Sequence, residues 1–305
     1  MGIGNTIIGL LGRLRIDGQI PRRATVIEIG AQQLTNSFLT ATDELASLGY
    51  LFGITTLPPL PAPLPTHVLP SGQEHLPQQA PRAREFWTWL GFVYTSIDID
   101  GSPGSIPLDL NYDRAPEPVR GQYDLVTNFG TTEHVANQLN AFELIHDLVA
   151  PGGIMIHELP VHGHVNHGLV NYNFKFFWML ARSNHYKFID AILSREMEED
   201  LPDNIVEFLS EFAQDPPSAF RSTDAGLRVV LQKRFDIPFV PPIDVNTGAT
   251  TEHEVLRQRY WTVFTPDRID GLVDHSRSAR SARPESLLHK HELSSARCLS
   301  NSTTM

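Results

Sequence analysis

Several short stretches place side by side residues whose types could hold a ligand or move a proton. At 28–32, Glu28-Ile29-Gly30-Ala31-Gln32, a β-branched run ends in glycine, and the missing Cβ lets the backbone turn sharply and a ligand come close. At 96–101 an apolar run ends in Asp98-Ile99-Asp100-Gly101, and a carboxylate there can accept hydrogen bonds from both hydroxyls of a ribose. Asp98 is the first choice and Asp100 the reserve. Leu108-Asp109-Leu110-Asn111 adds a carboxylate able to accept from an adenine amino group, and Thr127-Asn128-Phe129-Gly130 ends a further apolar run. Taken singly, each stretch also reads as an ordinary strand end or acidic turn.

Proton-handling groups gather downstream. Glu133 and His134 follow one run, and His157, Glu158, His162, His164 and His167 crowd the next. A neutral imidazole can take the proton of a hydroxyl, so His134, His162 and Glu133 are the candidate catalytic residues. A helix N-terminus served by Glu133, with His134 packed at a sheet edge, is the competing structural reading. The spacing of His162, His164 and His167 fits no tight ligand motif, and no metal ligand is assigned. The aromatic stretch 171–180 reads equally as core or as a wall over an acceptor.

These groups need elements that bring them together. Short β-branched runs alternate with segments of helical period from residue 24 to about 244, the pattern of a parallel sheet covered by helices. Strands are predicted at 24–30, 92–98, 105–109, 123–129 and 154–159. A helix carries Leu34, Phe38, Ala41, Leu45 and Leu48 and stops at Gly49; a second covers 84–90; a third carries Val135 to Val149 and stops at Pro151-Gly152-Gly153. Helical stretches are expected over 174–212, and 226–233 with 235–240 as a closing antiparallel pair. In an open parallel sheet ligands bind beyond the carboxyl ends of the strands, where the polar stretches above fall.

The chain of 305 residues is 41% hydrophobic, enough for one large core. Its formal charge of −11 argues against a broad basic face and a nucleic-acid partner. Residues 1–23 are expected to form a docking helix, their apolar run being too short for an export signal or membrane span. The single cysteine, Cys298, fits a reducing, cytoplasmic setting. Prolines at 57–82 exclude a lasting helix or strand and predict a surface excursion. Residues 271–305 are rich in Ser, Arg and His and are expected to be disordered; the domain proper is assigned to 24–270. Oligomeric state is left open.

In order, VIEIGAQ, YTSIDID, PLDLN, YDLVTNFGTTEHV and APGGIMIHELP resemble the successive motifs of the class I S-adenosylmethionine-dependent methyltransferases. The resemblance implies an α/β Rossmann-like fold: a mostly parallel seven-stranded sheet with helices on both faces and an antiparallel closing strand. It implies S-adenosyl-L-methionine as cofactor, held by Glu28, Gly30, Ala31, Gln32, Asp98, Ile99, Asp109, Leu110, Asn128 and Phe129, and a small-molecule or glycan acceptor methylated on oxygen or nitrogen. Two departures stand out: Ala31 and Gln32 occupy places where the family usually has further glycines, and the gap from Gly30 to Asp98 is long. Glu133-His134 resembles the Glu-His pair of metal-assisted O-methyltransferases, with Gly130 where those carry a further glutamate. An NAD-type oxidoreductase is the main alternative, although Gly30 is the only glycine of the turn that cradles a pyrophosphate. A noncatalytic cofactor-binding regulator is the other.

Overall fold

The structure, a computed structural model, describes residues 2–61, 67–68, 74–75, 81–100, 102–162, 164, 167–194, 198–200, 225–245 and 253–277. Strands β1 (Thr25–Ile29), β2 (Val93–Ile97), β3 (Ser105–Ile106), β4 (Tyr123–Phe129), β5 (Val149–His162), β6 (Lys187–Ser194), β7 (Glu198–Asp200) and β8 (Ala225–Gln232) form one sheet in the order β3-β2-β1-β4-β5-β8-β6-β7. β3, β2, β1, β4 and β5 are mutually parallel, while β8 runs antiparallel to β5 and β6. Seven strands make the mixed, mostly parallel sheet that the sequence implies. The three-residue β7 adds an outer edge beyond β6.

Alternation along the strands divides the apolar residues between two cores. β1 sends Ile27 and Ile29 to one face and Val26 to the other; β5 sends Met155 and Leu159 one way and Ile154 and Ile156 the other. Every residue of β1 and β4 is buried, as expected of parallel strands covered on both faces. Helices α1 (Thr6–Ile16), α2 (Asn36–Thr40), α3 (Thr42–Phe52) and α4 (Arg84–Trp89) contribute to the second core, and α5 (Gln138–Leu148) and α6 (Phe174–Asn184) to the first. The order of strands reverses between β1 and β4, so a crevice opens at their carboxyl ends.

Local differences from the sequence reading have physical causes. The first helix breaks into α2 and α3 at Ala41 and ends at Gly53, whose φ of 81° supplies the left-handed cap. Gly49 instead lies inside α3, where a Cβ would come within 2.9 Å of the Trp89 ring. Pro151-Gly152-Gly153 belongs to β5 rather than stopping a helix; β5 starts at Val149 opposite Tyr123, across a register shift. Of the helical stretches expected over 174–212, the first ends at Asn184 and β6 follows, while 201–212 lie outside the described residues. Residues 235–240 form no strand; β8 inserts between β5 and β6 instead.

Within the proline-rich stretch His67–Val68 pairs antiparallel with Glu74–His75, a short hairpin where no strand was expected, and most of the remainder lies outside the described residues. So do 278–305 of the expected tail. Before them, Asp274 bonds Arg234 through Nε and Nη2 at 3.1 and 2.6 Å.

Candidate functional site

The turn after β1 is built around Gly30. Its φ is 82°, and a Cβ there would collide with the Thr131 hydroxyl, so the position accepts only glycine without strain. Thr131 Oγ1 donates to Ile29 O at 2.6 Å and accepts from Gln32 Nε2 at 3.0 Å. The loops after β1 and β4 are thereby tied together. Gln32, standing where a further glycine was expected, performs this with its side chain.

Glu28 lies beneath the turn. Its fully buried carboxylate accepts from Trp87 Nε1 at 2.7 Å, the Tyr94 hydroxyl at 2.8 Å and Gln32 N at 3.0 Å. Burial pushes this carboxyl up to about 7, against the opposing pull of those three donors. Glu28 thus shapes the loop from below and does not line the cavity above it.

That cavity measures about 400 Å³ and opens at the carboxyl ends of β1, β2 and β4. Gly30, Ala31 and Gln32 form one wall, Asp98 and Ile99 a second, Asp109 and Leu110 a third. Asp98 is held by Ala31 N to Oδ2 at 2.9 Å and by Asp100 N to Oδ1 at 3.1 Å. Asp109 Oδ1 accepts from Asn111 N at 2.8 Å, while its own N–H donates to Asp113 Oδ2 at 2.7 Å. Asp100 turns away and accepts from the Ser102 N–H and hydroxyl, bonds that lower its pKa.

Besides Glu28, two more residues expected at the cavity are absent from its lining. Asn128 is fully buried, its Nδ2 donating to Thr132 Oγ1 at 2.9 Å, and Phe129 packs in the second core. Side chains of β4 stay inside the layers until the strand ends, so Gly130, Thr131 and His134 reach the cavity in their place.

Beyond β4 a 3₁₀ turn, Thr132–His134, turns Glu133 inward and His134 toward the cavity. The Glu133 side chain is 0% exposed, and neither carboxylate oxygen has a hydrogen-bond partner among the described residues. Burial raises its carboxyl to about 7 and lowers the His134 imidazole. The Nε2 atoms of His134 and His167 lie 3.8 and 3.7 Å from Glu133 Oε1. His162, at the exposed end of β5, is neither in this cluster nor in the cavity lining. His157 is buried in the core, facing Asn128 Nδ2 across 3.3 Å.

A family model described as methyltransferase domain matches residues 13–200. The chain belongs to the methyltransferase family. That membership sets aside the oxidoreductase alternative. Among solved structures this methyltransferase is similar to the 1,6-didemethyltoxoflavin-N1-methyltransferase of Burkholderia thailandensis, crystallised with 1,6-didemethyltoxoflavin and S-adenosylhomocysteine, at 11% identity over 75% of this chain and 77% of that one, TM-score 0.37. A TehB-like SAM-dependent methyltransferase from Corynebacterium glutamicum gives 14%, 73% and 87%, TM-score 0.36. The O-methyltransferase of a trans-AT PKS multienzyme from Brevibacillus brevis, in complex with S-adenosyl-L-homocysteine, gives 11%, 75% and 72%, TM-score 0.38. A comparison with curated proteins finds no match. No helix among the described residues is long and apolar enough to cross a membrane.

In this methyltransferase the sequence reading singled out neither Thr131 nor the approach of His167 to Glu133. Thr131 offers no signal beyond following Gly130. His167 was in view as one of several loop histidines, but its approach to Glu133 depends on the path of the intervening chain. Glu133 O accepts from Leu169 N at 2.7 Å and Val170 N at 3.1 Å. A Cβ on Gly168 would come within 2.9 Å of Glu133 Cγ and 3.0 Å of its carbonyl oxygen, so the small residue lets the loop press against the glutamate.

Proposed function

We propose that the cavity holds S-adenosylmethionine and that a small-molecule or glycan acceptor, methylated on oxygen or nitrogen, meets it at the His134 end. The observation that carries this reading is the convergence of Gly30, Asp98, Asp109 and His134, from four chain segments, on one cavity of about 400 Å³. That volume is within the range of small-ligand and cofactor sites. Asp98 retains lone pairs for two ribose hydroxyls after its bonds to Ala31 and Asp100. Asp109 and Leu110 would flank the adenine, with Ile99 at the outer edge. Gly30, Ala31 and Gln32 would face the methionine part, at a wall that a Cβ on residue 30 would disrupt.

The bound cofactor supplies an electrophilic methyl group on a sulfonium. Transfer is an in-line displacement, so the chain's main task is alignment. Glu28, Asn128 and Phe129 act as positioning residues from beneath the cavity. His134 presents an imidazole that burial favours in its neutral form, able to accept a proton or bind an ion.

Calorimetric titration with S-adenosylmethionine, S-adenosylhomocysteine and NAD tests the site. Binding of the first two and not the third is expected. Asp98→Ala should weaken cofactor binding by about 1.5 to 3 kcal/mol through loss of a charge-assisted acceptor, and Gly30→Val should exclude the cofactor sterically. Unchanged affinity in both variants would move the site elsewhere. Transfer of labelled methyl groups to cell extracts separates an active enzyme from a noncatalytic regulator.

A further inference from the structure

We propose that Glu133, His134 and His167 bind a divalent transition-metal ion at the acceptor end of the cavity. One ligand atom from each lies within 4.8 Å of the other two, and both imidazole Nε2 atoms stand 3.7 to 3.8 Å from Glu133 Oε1. With bonds of about 2.0 to 2.2 Å, two ligands of one ion are at most about 4.4 Å apart. Both measured pairs fall inside that limit, and the third lies within 4.8 Å beside the half-exposed His134 ring.

The second observation is the state of Glu133. A carboxylate buried without hydrogen bonds is costly, and both of its oxygens are in that position among the described residues. Two imidazoles point at it across more than hydrogen-bond distance, a gap that a cation would fill. The donor set of one carboxylate and two imidazoles suits a first-row divalent ion such as zinc or cobalt better than magnesium, which takes oxygen ligands.

Three protein ligands leave positions open, and His134 lines the cavity. Those positions would take an oxygen donor, so the inference, which rests on the reading of the cavity as the cofactor site, narrows the acceptor to one bearing a hydroxyl. A metal-bound hydroxyl ionises more readily than a free one. Its proton passes to water, its oxygen takes the methyl carbon, and the C–S electron pair stays on the sulfur that departs as S-adenosylhomocysteine. His134 then serves as a ligand instead of a base.

The test uses tag-free full-length protein stripped with chelator and titrated with cobalt(II), followed by its visible absorption, then with zinc in competition. One equivalent should bind. Glu133→Gln, which keeps the buried shape, and His167→Ala should each weaken binding by about a hundredfold or more, since even outer-shell changes cost 10- to 100-fold. Gly168→Ala, which forces the loop away from Glu133, should also weaken it, whereas His162→Ala should not. Absence of binding, or equal affinity in wild type, Glu133→Gln and His167→Ala, would overturn the site. Cobalt binding in a protein that fails to bind S-adenosylmethionine would instead defeat the cofactor reading and leave the ion site standing.

Discussion

The Thr131 hydroxyl occupies the space in which a side chain on Gly30 would begin. The loops after β1 and β4 can therefore close on one another only while residue 30 is glycine, and the Gln32 amide fastens them at 3.0 Å. The seam lies where the strand order reverses.

Gly30→Ala should cost about 2 to 4 kcal/mol, combining left-handed backbone strain with the collision. In a Thr131→Ala background the collision is relieved and only the strain of about 1 to 2 kcal/mol should remain. A double-mutant cycle of denaturant unfolding measures the difference. Strictly additive costs would mean that the two residues do not compete for space.

Glu28 gives the fold a pH dependence whose sign is fixed by its raised carboxyl, 4.5 in the open chain and about 7 when folded. Between those values the folded state keeps a proton that the unfolded state has released. Stability should therefore fall as pH rises through that window, by roughly 3 kcal/mol in all. Glu28→Gln removes this slope, so denaturation at about pH 5 and 7.5 should show wild type losing stability relative to the variant. A constant offset between the two would mean that Glu28 stays ionised in the fold.

His157 acts in the opposite direction. Burial holds its imidazole down to about 3 from 6.5, so below 6.5 the unfolded chain takes up a proton that the folded chain refuses. Stability is present above that value and lost as pH falls, by about 4 kcal/mol near pH 3.5. His157→Phe retains ring packing against Phe142 and Phe177, whose centroids lie 5.5 Å away, and should resist acid unfolding to a lower pH. An unshifted acid midpoint would count against a neutral buried imidazole. The Glu28 and His157 windows overlap with opposite slopes, so only the single variants separate them.

Elements with strong local signals were legible in the sequence. The β4 run ends where its apolar residues end, and the carboxylates of Asp98 and Asp109 reach the cavity as their strand-end positions imply. What escaped depends on tertiary context. β6 was hidden because His185, at φ 50°, turns the chain out of α6 without the glycine that usually marks such a stop. The partner of β8 was misread because antiparallel pairing says nothing about chain distance: its neighbours are β5 and β6. His167 meets Glu133 only through the backbone bonds of Leu169 and Val170, which no spacing rule encodes.

β8 lies between β5 and β6 although it follows both in the chain. On the ribosome β5 and β6 therefore emerge first, with the edges that will flank β8 still bare, and residues 225–232 must arrive before the two parts of the sheet can join. Until then those edges are templates for other chains. A protein truncated before residue 225 would keep the seam at Gly30 and Thr131 yet carry two open edges, so its fate would be governed by aggregation more than by loss of the cavity. Of the described strands, the last to be made is the one that renders the nascent molecule safe.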